Sequence, residues 1–320
     1  MQKFLVKSIL MFFAILLGYL ITSLIVNTKK NIVNNYMQAI IDKHDRISEI
    51  KSPKLILAGG SNLAFGINSQ KLQDEFNVPV VNLGLHAGLG LEFILNELKK
   101  SINDSDVVII SPEYFLGNGL YELKNFTQSL YPNASNYYDK NLKQDFQDHI
   151  KKTRKAIKTI GQDKGVNTSF SVYTRNGFNK FGDVISHIDQ VPKKELSDRG
   201  IINYRYWKGI EILNDFYKYA QTKNVNVFFT FPNFPQSEYN KNDKCIEKLN
   251  NDILKNLKIE VLNSPKDMVL NDSLFYDTIY HLNGKGRELR TEKLIDSIKN
   301  SSKAKESLYA IKISKINLAF

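Results

Sequence analysis

Apolar and polar positions divide the chain into stretches of different rhythm. From Ser8 to Val26 (SILMFFAILLGYLITSLIV) no charged residue interrupts the run. Roughly twenty apolar residues at ~1.5 Å rise cover a bilayer core, so residues 1–27 are expected to form a membrane anchor. Residues 28–50 (TKKNIVNNYMQAIIDKHDRISEI) carry only a weak apolar period, which suits a partly helical juxtamembrane stalk. From residue 51 short apolar runs alternate with longer helical periods: KLILA at 54, VPVVNLG at 78, LEFILNELKKSI at 91 and DVVIISPE at 106. Strand, strand, helix and strand in that order predict crossover units and a parallel sheet buried on both faces.

The rhythm is lost from Leu120 to about Gly200, a stretch rich in Tyr, Asn and Lys with one predicted helix near 140–160 and the segment FNKFGDVISHI at 178. It reads as an insertion over the sheet. The pattern resumes with a helix near WKGIEILNDFYKYAQTKN, a strand VNVFFTF at 225, a helix at 241–256, a strand IEVLN at 259 and a helix GKGRELRTEKLIDSIKN. The expected organisation is therefore an anchor, a stalk, an α/β domain over 51–300 interrupted at about 120–200, and a tail over 301–320.

Composition changes this picture in few places. At 320 residues, 42% hydrophobic and 24% charged, the chain can bury a full core and is not disordered. The apolar run is longer than a signal-peptide core and ends in VNTKK without a small-residue cleavage site, so the anchor is expected to be retained. Lys3 and Lys7 before the span nearly balance Lys29 and Lys30 after it. A long domain after a single N-terminal span is then expected outside the cytoplasm, because long domains translocate largely regardless of charge. Cys245 is the only cysteine, so no internal disulfide can form. The net charge of +11 is dispersed among Asn, Asp and Glu with no basic tract, which argues against nucleic acid as a partner. The dispersed charge reads first as a solvated lysine-rich surface, with attraction to an anionic lipid or polymer surface as the alternative.

The candidate chemistry starts at LILAGGSNLAFG, a buried strand running into a turn with Ser61 at its tip. Taken alone, Ser61 reads as a cap of the following turn. A phosphate-binding loop lacks its Lys-Ser/Thr here and its G-x-G-x-x-G. A nucleophile needs a base and a residue to orient that base. FYDTIYHLNGKG supplies Asp277 and His281 from one late loop, so the three residues together support the nucleophile. Leu63 at the second position after Ser61 breaks the G-x-S-x-G elbow, and the five histidines include no H-x-x-x-H or H-E-x-x-H spacing for a metal. Asp183 and His187 in the insertion are given no catalytic role.

The segments LAGGSNLAFG, VVNLGLHAGLG, SDVVIISPEYF and YDTIYHLNGKG resemble, in order and spacing, the blocks of the SGNH/GDSL hydrolase superfamily over about residues 54–296, the insertion excluded. The resemblance implies a flavodoxin-like three-layer α/β/α fold, with Ser61 as nucleophile, His281 as base and Asp277 as its orienting partner. It also implies oxyanion donors: the N–H of Ser61, and that of Gly88, or of Gly84 if the loop aligns otherwise. Two departures stand out. SPEYFLGNG replaces the family's G-x-N-D block, leaving Asn62 and Asn118 as the side-chain candidates, and Asp277 and His281 are four residues apart where the family has three.

With the anchor, the resemblance implies a single-pass membrane ester hydrolase or O-acyltransferase working through an acyl-serine on an acylated cell-surface glycan or cell-wall polymer. It needs no cofactor, and some relatives of this kind work beside a multispanning membrane O-acyltransferase. The alternative is a non-catalytic SGNH-like domain that holds a glycan or docks on such an acyltransferase.

Overall fold

The computed structural model describes residues 2–28, 34–158 and 171–318. In chain order these form α1 (Gln2–Thr28), α2 (Ala39–Glu49), β1 (Leu55–Gly59), α3 (Ser61–Gly66), α4 (Ser69–Phe76), β2 (Val80–Asn82), α5 (Leu91–Ser101) and β3 (Val107–Ser111). After them come α6 (Tyr121–Leu130), α7 (Leu142–Lys158), α8 (Gly209–Gln221), β4 (Asn226–Phe229), β5 (Phe234–Pro235) and α9 (Gln236–Asn256). The last elements are β6 (Glu260–Val261), β7 (Val269–Leu270), α10 (Gly284–Asn300) and α11 (Ser302–Leu318). Two units divide the chain: Met1–Asn34 with Asp139–Ser171, and Asn35–Tyr138 with Val172–Phe320.

The larger unit is a mixed α/β fold. Its sheet has five strands in the order β2-β1-β3-β4-β6, all parallel, and β5 pairs with β7 in a separate two-stranded piece. Every residue of β1 and β3 is buried, because helices cover both faces. The two-residue period of a strand sorts these side chains. Ile56, Ala58, Val108, Ile110, Val227 and Phe229 pack against α5, α8 and α9, whereas Leu55, Leu57, Val107, Ile109 and Phe228 pack against α3, α4, α10 and α11. A strand apolar on both faces reads as an unbroken hydrophobic run, the pattern of LILAG and VVII.

The five strands of the main sheet and the helices α5, α8 and α10 lie where the periodicity predicts them, β5 and β7 are additional, and α9 begins at Gln236, about one turn ahead of the expected start. Three segments differ. Residues 35–49, expected in a stalk, belong to the sheet-bearing unit: Tyr36, Met37, Ala39 and Ile40 are buried, and the Tyr36 hydroxyl donates to the Leu85 carbonyl at 2.8 Å. The expected tail is α11, with Ala304, Leu308 and Ile311 buried. Its apolar positions at i, i+4 and i+7 make one narrow stripe among lysines, a weak signal in sequence but a sufficient face to bury. The stretch 120–200 is not a single insertion over the sheet. Residues 120–138 and 172–200 stay with the larger unit, where Ala134, Tyr137, Val172 and Val184 share a cluster with Phe65 and Phe93, while Asp139–Ser171 groups with α1.

A buried carboxylate ties that cluster to the sheet. Asp183, fully buried, accepts from the Ser69 hydroxyl at 2.5 Å, the Ser69 N–H at 2.9 Å, Asn82 Nδ2 at 2.9 Å and Arg287 Nη2 at 3.2 Å. A charge is retained in a core only when so fully paired.

In the smaller unit, α1 is the one helix among the described residues that is long and apolar enough to cross a membrane, over Gln2–Thr22. The chain is a membrane-associated α/β protein on this ground.

If α11 is core, Leu308→Ala costs about 2–5 kcal/mol, the range for emptying a buried leucine site. Denaturant unfolding of the detergent-solubilised chain measures it, and a change within about 0.5 kcal/mol, the range of a surface substitution, would contradict the packing described.

Candidate active site

Ser61 opens α3 directly after β1. The approach to it is so close that only glycine fits. A Cβ on Gly59 would collide with the Ser111 carbonyl oxygen of β3, and one on Gly60 would collide with the Glu113 carboxylate. The Ser61 side chain is partly exposed, and its hydroxyl makes no hydrogen bond among the described residues.

Beneath that turn lies a buried polar layer. The Asn62 N–H donates to Glu113 Oε1 at 3.2 Å, and Asn62 Nδ2 donates to the Ser111 carbonyl at 3.0 Å. Arg290 of α10, fully buried, donates to the Asn62 carbonyl at 2.5 Å and to Ser111 Oγ at 3.0 Å. Burial pushes the Glu113 carboxyl up to about 7, although the Asn62 N–H and the Arg290 charge act to lower it. Burial likewise brings Arg290 down to about 10.

Asp277 and His281 face each other: the imidazole Nδ1 lies 2.9 Å from Asp277 Oδ1. The four-residue spacing is accommodated by a loop that closes on itself. The Tyr276 N–H donates to the His281 carbonyl at 2.7 Å, Thr278 Oγ1 accepts from the N–H groups of Tyr280 and His281 at 3.1 Å each, and the Asn283 N–H donates to the Leu274 carbonyl at 2.9 Å. The Tyr173 hydroxyl donates to Asp277 Oδ2 at 2.5 Å and lies 3.1 Å from His281 Nδ1. Burial would raise the Asp277 carboxyl, but His281, Tyr173 and the Lys193 ammonium at 3.9 Å outweigh it and hold the group below the usual carboxylate range. A carboxylate on Nδ1 leaves Nε2 as the nitrogen able to take a proton.

The His281 ring stacks on Phe65, with centroids 4.0 Å apart and planes 8° from parallel. Phe65 is four residues after Ser61 on α3, and residues four apart share a helix face. Phe65 thus sets the imidazole beside the face of α3 that begins at Ser61. No hydrogen bond joins Ser61 to His281 in the structure.

The expected oxyanion donors are differently engaged. The Gly84 N–H donates to Asn82 Oδ1 at 2.9 Å, the Gly88 N–H donates to His86 Nδ1 at 2.8 Å, and the Asn62 amide is turned inward onto Ser111. Asn118 is exposed, on a turn whose backbone packs against Gly90. Because His86 Nδ1 accepts, its Nε2 carries the ring proton in the neutral form. Desolvation and the neighbouring His281 charge lower the His86 pKa.

Three residues of this arrangement were not legible in sequence. Tyr173 comes from a stretch with no periodicity, Arg290 is one basic residue among several on α10, and Glu113 stands where the resembling family carries another block. His187 is buried, donates from Nε2 to the Leu282 carbonyl at 2.8 Å and packs 4.8 Å from Phe65; burial brings it down to about 4. Its place is in the wall behind the stack. Among the described residues no three His, Cys, Asp or Glu side chains are grouped to hold a metal ion. The sequence matches no family model and none of the curated proteins.

Glu113 gives this site a pH signature. Its folded pKa of about 7 lies above the ordinary value of 4.5, so between those values the folded state binds more protons than the unfolded one and stability falls as pH rises. Glu113→Gln removes that contribution. Relative to the parent chain, the variant is expected to gain stability as pH rises from about 4.5 to 7, read from unfolding midpoints at several pH values. A difference that stays constant with pH would show that Glu113 is ionised throughout.

Proposed function

We propose that the sheet-bearing unit is an SGNH-type serine ester hydrolase or O-acyltransferase, tethered by α1, that acts on an acylated cell-surface glycan or cell-wall polymer. The observation that carries this reading is the Asp277–His281 pair, 2.9 Å apart, stacked on Phe65 of the short helix that Ser61 opens. The sheet order supports it. Counting only sheet strands it is 2-1-3-4-5, the flavodoxin-like order, in which ligands sit beyond the carboxyl ends of the strands where the order reverses between the first and third. Ser61 comes directly after the first of these strands. The helix complement is larger than a minimal flavodoxin-like fold requires. The domain is assigned outside the cytoplasm, and a multispanning membrane O-acyltransferase is the partner that this reading brings with it.

In this mechanism Ser61 Oγ bonds to the ester carbonyl carbon while His281 Nε2 takes the hydroxyl proton. The alcohol departs with that proton. Water or a sugar hydroxyl then gives its own proton to His281 as its oxygen bonds to the acyl carbon, and the acyl–Oγ bond breaks as His281 returns that proton to Ser61 Oγ, leaving the free acid or the new ester. Asp277 keeps the imidazole in the required tautomer, and Tyr173 positions Asp277. With the Gly84 and Gly88 N–H groups engaged, the oxyanion falls to the Ser61 N–H. Those engaged donors and the missing Ser61–His281 hydrogen bond favour a second reading, a glycan-holding or acyltransferase-docking domain without turnover.

One experiment separates the two. The full chain in detergent is expected to hydrolyse a small aryl acetate and to be labelled at Ser61 by a fluorophosphonate probe. Ser61→Ala abolishes both, and His281→Ala lowers the rate by about 10²–10⁴, the contribution of a general base. A folded chain without labelling or turnover on acetylated glycan supports the binding domain instead.

Tyr173→Phe tests the positioning role. Losing one hydrogen bond to a charged group costs about 1.5–3 kcal/mol, so kcat is expected to drop roughly 10–100-fold with KM nearly unchanged. A rise in KM at constant kcat would place Tyr173 in substrate binding.

A further inference from the structure

The smaller unit holds a helix whose apolar side is largely exposed. At 3.6 residues per turn, Leu142, Phe146, Ile150 and Ile157 of α7 fall within an arc of about 80°. Leu142 is 86% exposed, Phe146 59% and Ile157 52%. Ile150 is half-buried. Three large exposed apolar side chains on one helical stripe are costly in water, at roughly 1.5–3 kcal/mol each relative to burial.

The adjoining side of α7 rests on α1. The His149 ring packs on Tyr19 with centroids 4.5 Å apart, and its Nε2 lies 3.0 Å from the Thr22 hydroxyl. Asp148, buried beside it, pairs with Lys152 at 2.6 Å. Tyr19 and Thr22 lie four to seven residues, about 6–10 Å at ~1.5 Å rise, before the end of the apolar run at Val26. An interfacial helix sits about 5–10 Å into the boundary between headgroups and acyl chains. The contact therefore sets the middle of α7 beside the C-terminal part of the span, at a depth that such a helix occupies.

Charge completes the pattern. Over Leu142–Lys158 the sequence carries six Lys and Arg against two Asp. Lys143 and Arg154 flank the stripe within about 40° around the helix, and Lys151 and Lys158 lie beyond them. An apolar stripe bordered by basic residues is the composition of a helix lying in the plane of an anionic membrane surface.

We propose that α7 is an interfacial helix, with Leu142, Phe146, Ile150 and Ile157 set among the lipids at the end of α1 and the basic residues beside it against anionic headgroups. This gives the chain a second membrane contact. It rests on the unit that contains α1 alone and stands apart from any role of Ser61.

The test uses the full chain in vesicles of equal parts phosphatidylcholine and phosphatidylglycerol. With Cys245→Ser as background, a fluorophore is attached at Phe146→Cys, at Ile157→Cys or at Lys151→Cys. Positions 146 and 157 are expected to be several-fold better quenched by lipids spin-labelled near the headgroup, and several-fold less quenched by aqueous iodide, than position 151. Equal iodide access at 146 and 151 would overturn the proposal. Protection at 146 that persists undiminished in pure phosphatidylcholine would overturn the anionic part of it. Protection that appears only as the protein-to-lipid ratio is raised would assign the stripe to a second copy of the chain and also overturn it.

Discussion

Arg290 is the constraint on which the rest of the larger unit depends. A fully buried guanidinium must find acceptors, and it finds them at the Asn62 carbonyl and Ser111 Oγ, with the Glu113 carboxylate close by. These groups belong to the end of β3 and the turn after β1, so one side chain from α10 holds two adjacent strand ends in register. Removing one partner of such a layer leaves an uncompensated charge, which costs far more than the layer contributes when intact. The glycines at 59 and 60 fit the same layer, since a Cβ on Gly59 would meet the Ser111 carbonyl and one on Gly60 the Glu113 carboxyl group.

The same layer explains what sequence could and could not reveal. Strands buried on both faces announce themselves as unbroken apolar runs, which is why β1, β3 and β4 were legible at once. Ser61, Asp277 and His281 stood out by residue type, and of these the structure brings Asp277 and His281 into contact. Tyr173, Glu113 and Arg290 did not, because their roles come from contacts 51 to 228 residues distant along the chain. The burial of α2, expected only as part of a partly helical stalk, was hidden for another reason. Its buried face includes Lys43, which donates to the carbonyls of Asn82 and Gly182, and a lysine on a weak period reads as solvent-facing.

The order of the chain does not match the division into units. The stretch from 120 to 200 looks uniform in composition, yet its middle associates with α1 while its flanks pack with Phe65 and Phe93. Composition reports how polar a segment is, and both environments accept polar, tyrosine-rich sequence. What distinguishes α7 is the placement of its few apolar residues on one side, a property of angle that an average over the segment erases.

The loop that carries Asp277 and His281 is closed by its own main chain, from Leu274 to Asn283. Carboxylate and imidazole are consequently brought together by the closure of the loop and not by the count of residues between them. A recognition rule written as a fixed interval between aspartate and histidine passes over such a loop, although the side-chain contact it seeks is present. Here the closing element is Thr278 between the two, whose hydroxyl accepts from the histidine's own N–H.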